Sequence, residues 1–388
     1  MRKLQKHSRH TLTKKQTVNY SELTYKVAFA HLRSVTISAA REIICRFGSI
    51  EAFFHADYHL LLSTLGSDKV IDRKKLDEAL EKAVSEVQWI ESNNVRALFF
   101  TDEDYPQRLL ECEDAPLMVY TIGNANLNAR HIISIVGTRH STAYGLSFVE
   151  DFISEIASSL SDVLIVSGLA YGVDVSAHRE SLKCNVPTLG VVAHGLSTVY
   201  PASHRDIAAK MVKNNGGLLT EYPHSTPVAK GYFLARNRIV AGICDALIVV
   251  ETAEKGGSLI TARLASAYGK PVFALPGRTT DIYSAGCNRL IFNNSASLFT
   301  STKDFISAMM WENKKVEGVQ QNLFVELPEN QKSIYDYLVN KGEATINQIA
   351  CDLDIPISQI MQTIGDMEFD GLLMSMPGSK YRINKKIR

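Results

Sequence analysis

The stretch Leu247-Ile-Val-Val250-Glu251-Thr-Ala-Glu-Lys255-Gly256-Gly257-Ser258-Leu-Ile-Thr261 decides the fold. Its apolar head reads as a buried strand, and its glycines and hydroxyls open a helix directly afterwards. A helix begun this way exposes unpaired backbone N–H groups and the positive end of its macrodipole, which suits a phosphate. Just upstream, Arg236-Asn237-Arg238-Ile239-Val240-Ala241-Gly242 sets two permanently charged guanidiniums in a Gly-terminated apolar segment. Fixed cations beside an anion-ready helix start point to a polyanionic ligand rather than to bond-breaking chemistry.

Working outward, the same strand-then-helix rhythm repeats. Apolar runs at Ile132–Val136, Val163–Val166, Leu189–Val192, Leu218–Thr220, Leu247–Val250 and Val272–Leu275 alternate with helical segments. Near-continuous apolar strands of this kind belong to a parallel sheet covered on both faces, an α/β doubly wound fold. Its ligand sits at the carboxyl ends of the strands. The loops that matter are therefore Gly137–Gly145, Ser167–Asp174, His194–Pro201, Glu221–Arg238, Thr252–Thr261 and Pro276–Asn288.

The flanks follow different patterns. Residues 1–20 read as a basic arm: Arg2, Lys3, Lys6, Arg9, Lys14 and Lys15 precede the first acid, Glu22. Residues 21–94 have helical spacing, with a helix closed by Gly48, Ser49 as the next N-cap, and a longer helix from Asp72 to Ser92. Arg96–Phe100 and Leu117–Thr121 are extended pieces of a connector to the sheet domain, assigned to 95–311. Residues 312–327 are polar and break the pattern, which marks a linker. Residues 328–388 suggest helices at Gln331–Asn340, Ile346–Leu353 and Ile357–Phe369, then a ribbon at Leu372–Met376 and Tyr381–Ile383. That order is the winged-helix arrangement.

Bulk properties narrow the class. A chain of 388 residues, 45% hydrophobic and 21% charged, is long enough for two or three domains. No apolar run approaches the roughly 20 residues of a membrane span, and the basic start lacks the apolar stretch of a secretory signal. Six dispersed cysteines form no C-x-x-C pair, which fits reduced thiols in a cytoplasmic setting. With a net charge of +1, nucleic-acid affinity must come from a local patch.

The loops carry the chemistry. Arg139 and Ser141 stand together after the first strand, where a guanidinium and a hydroxyl can share phosphate oxygens; a surface salt bridge of Arg139 is the bland alternative. In Ser167-Gly168-Leu-Ala-Tyr171-Gly172-Val-Asp174 the glycines allow backbone close to a ligand, and Asp174 is placed to cap the next helix. Asp174 and His178 are four apart, but no third metal ligand stands near, so a structural hydrogen bond is the expected role. Lys230, Phe233, Arg236 and Arg238 interleave cations with a ring, as single-stranded nucleic acid requires. Phe233 in the core and Arg236 paired with Glu221 or Glu251 is the competing reading. No Walker loop, nucleophile elbow or H-E-x-x-H helix is present.

These motifs, in this order, resemble the DNA-processing protein A family, also called DprA or Smf. The likeness rests on Gly137-Thr-Arg139, Ser167-Gly-Leu-Ala-Tyr-Gly-Val-Asp174, Tyr200-Pro201 and Glu221-Tyr-Pro223. It continues through Arg236-Asn-Arg-Ile-Val-Ala-Gly242, Gly257-Ser-Leu-Ile-Thr-Ala262 and Gly286-Cys-Asn-Arg-Leu-Ile291. Each is weak alone; seven collinear ones are specific. The resemblance implies an extended Rossmann domain flanked by an N-terminal helical domain (SAM or helix-hairpin-helix-like) and a C-terminal winged helix. It further implies a non-catalytic, cytoplasmic protein that binds single-stranded DNA without a cofactor. Such a protein protects incoming DNA in natural transformation, loads RecA, displaces single-strand-binding protein, and dimerises through its Rossmann domain. By motif, Arg139 is expected to grip a phosphate, Lys230 and Phe233 to line the strand's path, and Gly257 and Ser258 to form the anion-ready helix start. Arg236 and Arg238, two apart on a helix, point apart: one faces DNA, the other holds the loop. Gly137, Ser141, Ser167, Gly168, Asn237, Gly256, Thr261 and Asn288 complete the expected contact set.

Two departures stand out. Arg33-Ser34-Val35-Thr36 lacks the glycines of a phosphate-binding hairpin, so a structural or docking role is expected of the N-terminal helices. Between Pro328 and Ser379, Lys332 and Lys341 face eight acids, a balance of −6, and Ile357–Glu368 holds no Lys or Arg. Phosphates repel such a helix, which turns this module towards protein, or towards DNA only through Lys380, Arg382, Lys385, Lys386 and Arg388. Two other functions compete. In nucleotide phosphoribohydrolases of related fold a glutamate follows P-G-G-x-G-T; Arg263 stands at that place here. A transcription regulator is argued from the winged helix alone.

Overall fold

Near-continuous apolar runs become the strands of one nine-stranded sheet in the computed structural model, in the order β1-β2-β6-β5-β4-β3-β7-β8-β9. The structure describes residues 20–32, 35–57, 60–61, 73–311, 328–370, 372–376 and 379–383. The basic arm up to residue 19, Arg33 and Ser34, the linker 312–327, the Pro377-Gly378 turn and the tail cations Lys385, Lys386 and Arg388 lie outside the described residues.

Strands β3 (His131–Val136), β4 (Val163–Ser167), β5 (Thr188–Val191), β6 (Gly217–Thr220), β7 (Ala246–Val249), β8 (Val272–Ala274) and β9 (Ser297–Leu298) run parallel. The expected connector pieces also join the sheet. β1 (Arg96–Phe99) and β2 (Met118–Gly123) form a hairpin that adds antiparallel to β6.

Every residue of β3, β4 and β7 is buried, which is why no polar alternation marks them. Pleating still sends neighbours to opposite faces. Ile132 and Val136 enter one core with the helices Lys230–Gly242 and Ser258–Ala267, while Ile133 and Ile135 enter a second with Ala143–Ser159, Val173–Lys183 and Thr302–Ala308. Burying each large side chain there contributes about 1.5–3 kcal/mol. From β3 the chain steps through β4, β5 and β6 to one side. It then returns beside β3 as β7 and continues to β8 and β9 on the other. That reversal opens a crevice between the carboxyl ends of β3 and β7.

The N-terminal helices Glu22–Ala30, Ile37–Phe47 and Ile50–His55 start at Ser21, Thr36 and Ser49, whose hydroxyls accept from the amides of Thr24, Ala39 and Ala52. They share the first core with the sheet: Phe29 meets Phe99 at 6.3 Å between ring centroids, and Lys26 pairs with Asp102 at 2.8 Å. A fourth helix, Arg73–Ser92, packs along them.

Contacts divide the chain into two units, Met1–Lys314 and Lys315–Arg388. The second holds helices Glu329–Lys341, Ile346–Leu353 and Ile357–Phe369 around Ile334, Leu338, Ile349, Ile360 and Ile364. A capping box at Thr345 and Gln348 starts the middle helix. Its sheet has three antiparallel strands, because β10 (Glu343–Thr345) joins the expected ribbon of β11 (Leu373–Met376) and β12 (Lys380–Ile383).

Candidate nucleic-acid interface

The crevice holds a cavity of about 330 Å3. Its walls are the loop after β3 (Gly137 to His140), the loop after β7 with the start of Ser258–Ala267 (Thr252, Ala253, Gly256, Gly257, Ser258, Thr261), and one face of Lys230–Gly242 (Phe233, Leu234, Arg236, Asn237). Ala170 and Asp174 close the floor.

Glu251 ties the walls together. Its buried carboxylate accepts from the Thr142 amide at 2.9 Å and the Thr142 hydroxyl at 2.6 Å, while its carbonyl accepts from the Thr138 amide at 2.6 Å. The Thr138 carbonyl in turn accepts from the Val173 amide at 3.2 Å. Gly172, at φ +76°, lets this approach happen, because a Cβ there would strike the Thr138 carbonyl. The loop after β3 is thus a rigid mount from which Arg139 projects, exposed to solvent.

Arg236 occupies the floor and is 5% exposed. One terminal nitrogen donates to the Val191 carbonyl at 2.5 Å, and its Nε has no partner among the described residues. Its guanidinium lies against Gly168, where a Cβ would overlap it. Burial pushes the Asp174 carboxyl above its ordinary value, opposed by the Arg236 charge, and burial likewise pulls Arg236 down. Asp174 does not cap its helix, whose N-cap is Gly172; it accepts from the Gly168 and Ala170 amides and holds the loop beneath the cavity.

The helix Ser258–Ala267 opens into the cavity without a side-chain cap. The Ser258 hydroxyl is buried and has no partner among the described residues. A helix start, an unsatisfied hydroxyl, a buried guanidinium and an exposed one therefore surround a single space, a combination suited to an anionic oxygen. Beside it, Phe233 lies 5.8 Å from the half-exposed ring of Tyr200, and Tyr171 is also half exposed. These rings offer faces for stacking.

Of the expected contacts, Gly137, Arg139, Phe233, Arg236, Asn237, Gly256, Gly257, Ser258 and Thr261 line the cavity; Ser141 and Lys230 do not, although Lys230 is exposed at the first turn of its helix. Four expectations are corrected. Ser167 is fully buried and donates to the Ile135 carbonyl at 2.6 Å. Gly168 makes room for Arg236 rather than for ligand. Arg238 turns away and pairs with Glu221 at 2.5 Å. Asn288 spends its amide on both backbone groups of Gly277, at 3.1 and 2.9 Å. His178 bonds Thr188 at 2.7 Å, the structural role expected of it. Thr138, His140, Leu234, Tyr171 and Tyr200 were missed; the two tyrosines lie inside motifs, but periodicity cannot tell a displayed ring from a packed one.

Known proteins share this architecture. The sequence model of the DNA recombination-mediator protein A family matches residues 96–310. The putative DNA processing protein DprA of Mycobacterium tuberculosis is 31% identical over 319 residues, covering 78% of this chain and 81% of that protein. The Streptococcus pneumoniae DNA processing protein A structure aligns with a TM-score of 0.62 at 27% identity, over 75% of this chain and 98% of that one. A Helicobacter pylori DNA processing protein A, described for its single-stranded DNA binding mode, aligns at 0.50 and 31% identity, over 56% of this chain and 95% of that one. With the seven collinear motifs, a matching family model across the sheet and relatives along most of its length, the chain belongs to the DNA recombination-mediator protein A family.

Proposed function

We propose that this protein binds single-stranded DNA along the carboxyl rim of its sheet and acts as a recombination mediator without catalysing a reaction. The carrying observation is the convergence on one cavity of Arg139, buried Arg236, the unsatisfied Ser258 hydroxyl and an uncapped helix start. A backbone phosphate sits among these groups, Lys230 tracks the neighbouring phosphate, and Phe233 with Tyr200 stacks unpaired bases. The single-stranded DNA binding described for the Helicobacter pylori relative supports the reading. The remaining roles are assigned by family: RecA is loaded on the bound strand, single-strand-binding protein is displaced, and two copies pair through the Rossmann domain. We read the N-terminal helices as a SAM or helix-hairpin-helix-like domain, 328–388 as a winged helix, and the protein as cytoplasmic.

A nucleotide phosphoribohydrolase of related fold would use a glutamate where Arg263 stands, an exposed residue on Ser258–Ala267. Fluorescence anisotropy with single- and double-stranded oligonucleotides at two salt concentrations tests the reading. Single strands bind preferentially, and affinity falls steeply with salt, by about 0.7 in the log–log slope per phosphate neutralised. Equal affinity for both forms, or a flat salt response, refutes it.

A further inference from the structure

The loop after β8, residues 276–284, brings a second pair of rings to the crevice. Tyr283 lies on it and stacks on His140, at 6.0 Å between ring centroids and 25° between planes. His140 lines the cavity from the loop after β3, whereas Phe233 lines it from the helix Lys230–Gly242. The His140 imidazole is exposed, and its ring nitrogens make no hydrogen bond among the described residues.

The loop that carries Tyr283 is fastened along its whole length. The Tyr144 hydroxyl donates to the Pro276 carbonyl at 2.7 Å, and Asn288 holds both backbone groups of Gly277. A Cβ on Gly277 would overlap the Ser284 side chain, so only glycine lets the two ends of the loop close together. Between them the Asp281 and Ser284 amides donate to the carbonyls of Arg278 and Asp281, at 3.1 and 3.0 Å. The Tyr283 carbonyl accepts from the Thr252 amide at 2.6 Å, which ties the loop to the cavity wall. A ring pair mounted this firmly loses little freedom when a third ring joins the stack.

Charge decides what that third ring belongs to. Arg278 and Asp281 are exposed on the loop and balance each other, as do Glu254 and Lys255 on the loop after β7. These loops therefore offer no surplus cation for a phosphate, while a displayed aromatic face suits an unpaired base. Because His140 opens on the cavity itself, the group that reaches it is one attached to the phosphate held there.

We propose that His140, backed by Tyr283, is a stacking platform for a second unpaired base, on a different wall from that of Phe233 and Tyr200. The strand is then gripped as a dinucleotide step, its phosphate in the cavity and the base on each side of that phosphate stacked on its own ring pair. The inference rests on the reading that the crevice holds single-stranded DNA.

Anisotropy titrations of the full chain with an oligothymidylate at two salt concentrations test it. His140→Ala weakens affinity by about fivefold to a hundredfold, the worth of one stacked base, and leaves the salt slope unchanged. His140→Phe keeps a ring and binds within about threefold of the parent, and Tyr283→Leu weakens affinity by about twofold to tenfold. Arg139→Ala instead lowers the salt slope by about 0.7, which shows that the crevice holds the strand whatever His140 does. A thermal melt checks that each variant is folded. The platform is refuted if His140→Ala or Tyr283→Leu binds as the parent does, if the His140→Ala loss comes with a fall in slope, or if His140→Phe is as weak as His140→Ala. An unchanged slope in Arg139→Ala would remove the crevice reading itself, and the platform with it.

Discussion

Arg139, Arg236 and Arg238 carry the same charge and do three different things, decided by what surrounds each. Arg139 is exposed on a braced loop; Arg236 is buried over Gly168; Arg238 is locked to Glu221. Arg139→Ala should therefore cost binding and little stability. Losing a charge-assisted phosphate contact of about 1.5–3 kcal/mol weakens single-strand affinity roughly tenfold to a hundredfold, and an anisotropy titration measures it. Arg238→Ala should do the reverse, because it strands a carboxylate that is only 16% exposed. That loss is about 3–5 kcal/mol of stability, read by denaturant unfolding. If the two variants exchange phenotypes, the placement of the crevice is wrong. Buried histidines add a pH dependence. Burial holds His178 at about 3, against 6.5 for the free side chain. The unfolded chain takes up a proton that the folded one refuses, so this stability is complete above the free value and drains away as pH falls towards the lower one. Unfolding at pH 7.5 and at pH 5 should differ by about 2 kcal/mol from this group alone. A His178→Asn variant should be weaker at neutral pH yet show a shallower acid slope; an unchanged slope would refute the assignment.

At the scale of elements, the helix Lys230–Gly242 delivers Phe233, Arg236 and Asn237 to the crevice, and the loop before it is clamped by the N-terminal helices. The Glu86 carboxylate, on Arg73–Ser92, accepts from the His224 amide at 2.8 Å and meets its Nδ1 at 2.6 Å, while Trp89 stacks on the ring at 4.7 Å and 11°. Glu86→Ala leaves a partly buried amide and imidazole unpaired. A loss of about 1–3 kcal/mol is expected in denaturant unfolding, with faster hydrogen exchange confined to the loop 221–229. Global exchange, or none, would show that the clamp does not position this helix. Sequence pattern resolved much at this scale. Strands buried on both faces are continuous apolar runs, and Gly48 and Ser49 are local punctuation, so both were readable to within a residue or two. The hairpin β1–β2 was not, since only its partner β6 reveals that an extended segment joins a sheet. The clamp was equally hidden, because Glu86 and His224 are 138 residues apart and neither motif nor spacing links them. At the crevice the loops were legible from glycine and charge, but the direction of each side chain was not. A motif of six or eight residues cannot say that Ser167 faces Ile135 or that Asn288 closes on Gly277.

Across the whole molecule, cations available to DNA are unevenly shared. In the first unit Arg139 and Lys230 stand exposed around the crevice and Arg236 lines its floor, while Arg238 is spent on Glu221. In the second unit two of the four described cations are occupied as well: Lys341 pairs with Asp352 at 2.5 Å and Lys380 with Glu343 at 2.6 Å, while Lys332 and Arg382 are exposed. Its third helix exposes Ile357 and Met361, 50% and 58% accessible, rather than basic side chains. Phosphate neutralisation supplies most of the salt-dependent affinity for single strands, so a unit with few described cations, half of them already paired, adds little to it. A chain ending at residue 314, where the first unit's own contacts close, should bind single-stranded oligonucleotides within about threefold of the full chain and keep its salt slope within roughly one phosphate equivalent of 0.7. Anisotropy titrations of both chains at two salt concentrations decide the matter. A large loss of affinity with a flattened slope would show that the second unit, through its tail cations, holds phosphates that the crevice does not. Unchanged binding would leave the exposed apolar and acidic face of Ile357–Phe369 for a protein partner, because a polyanion gains nothing by touching it.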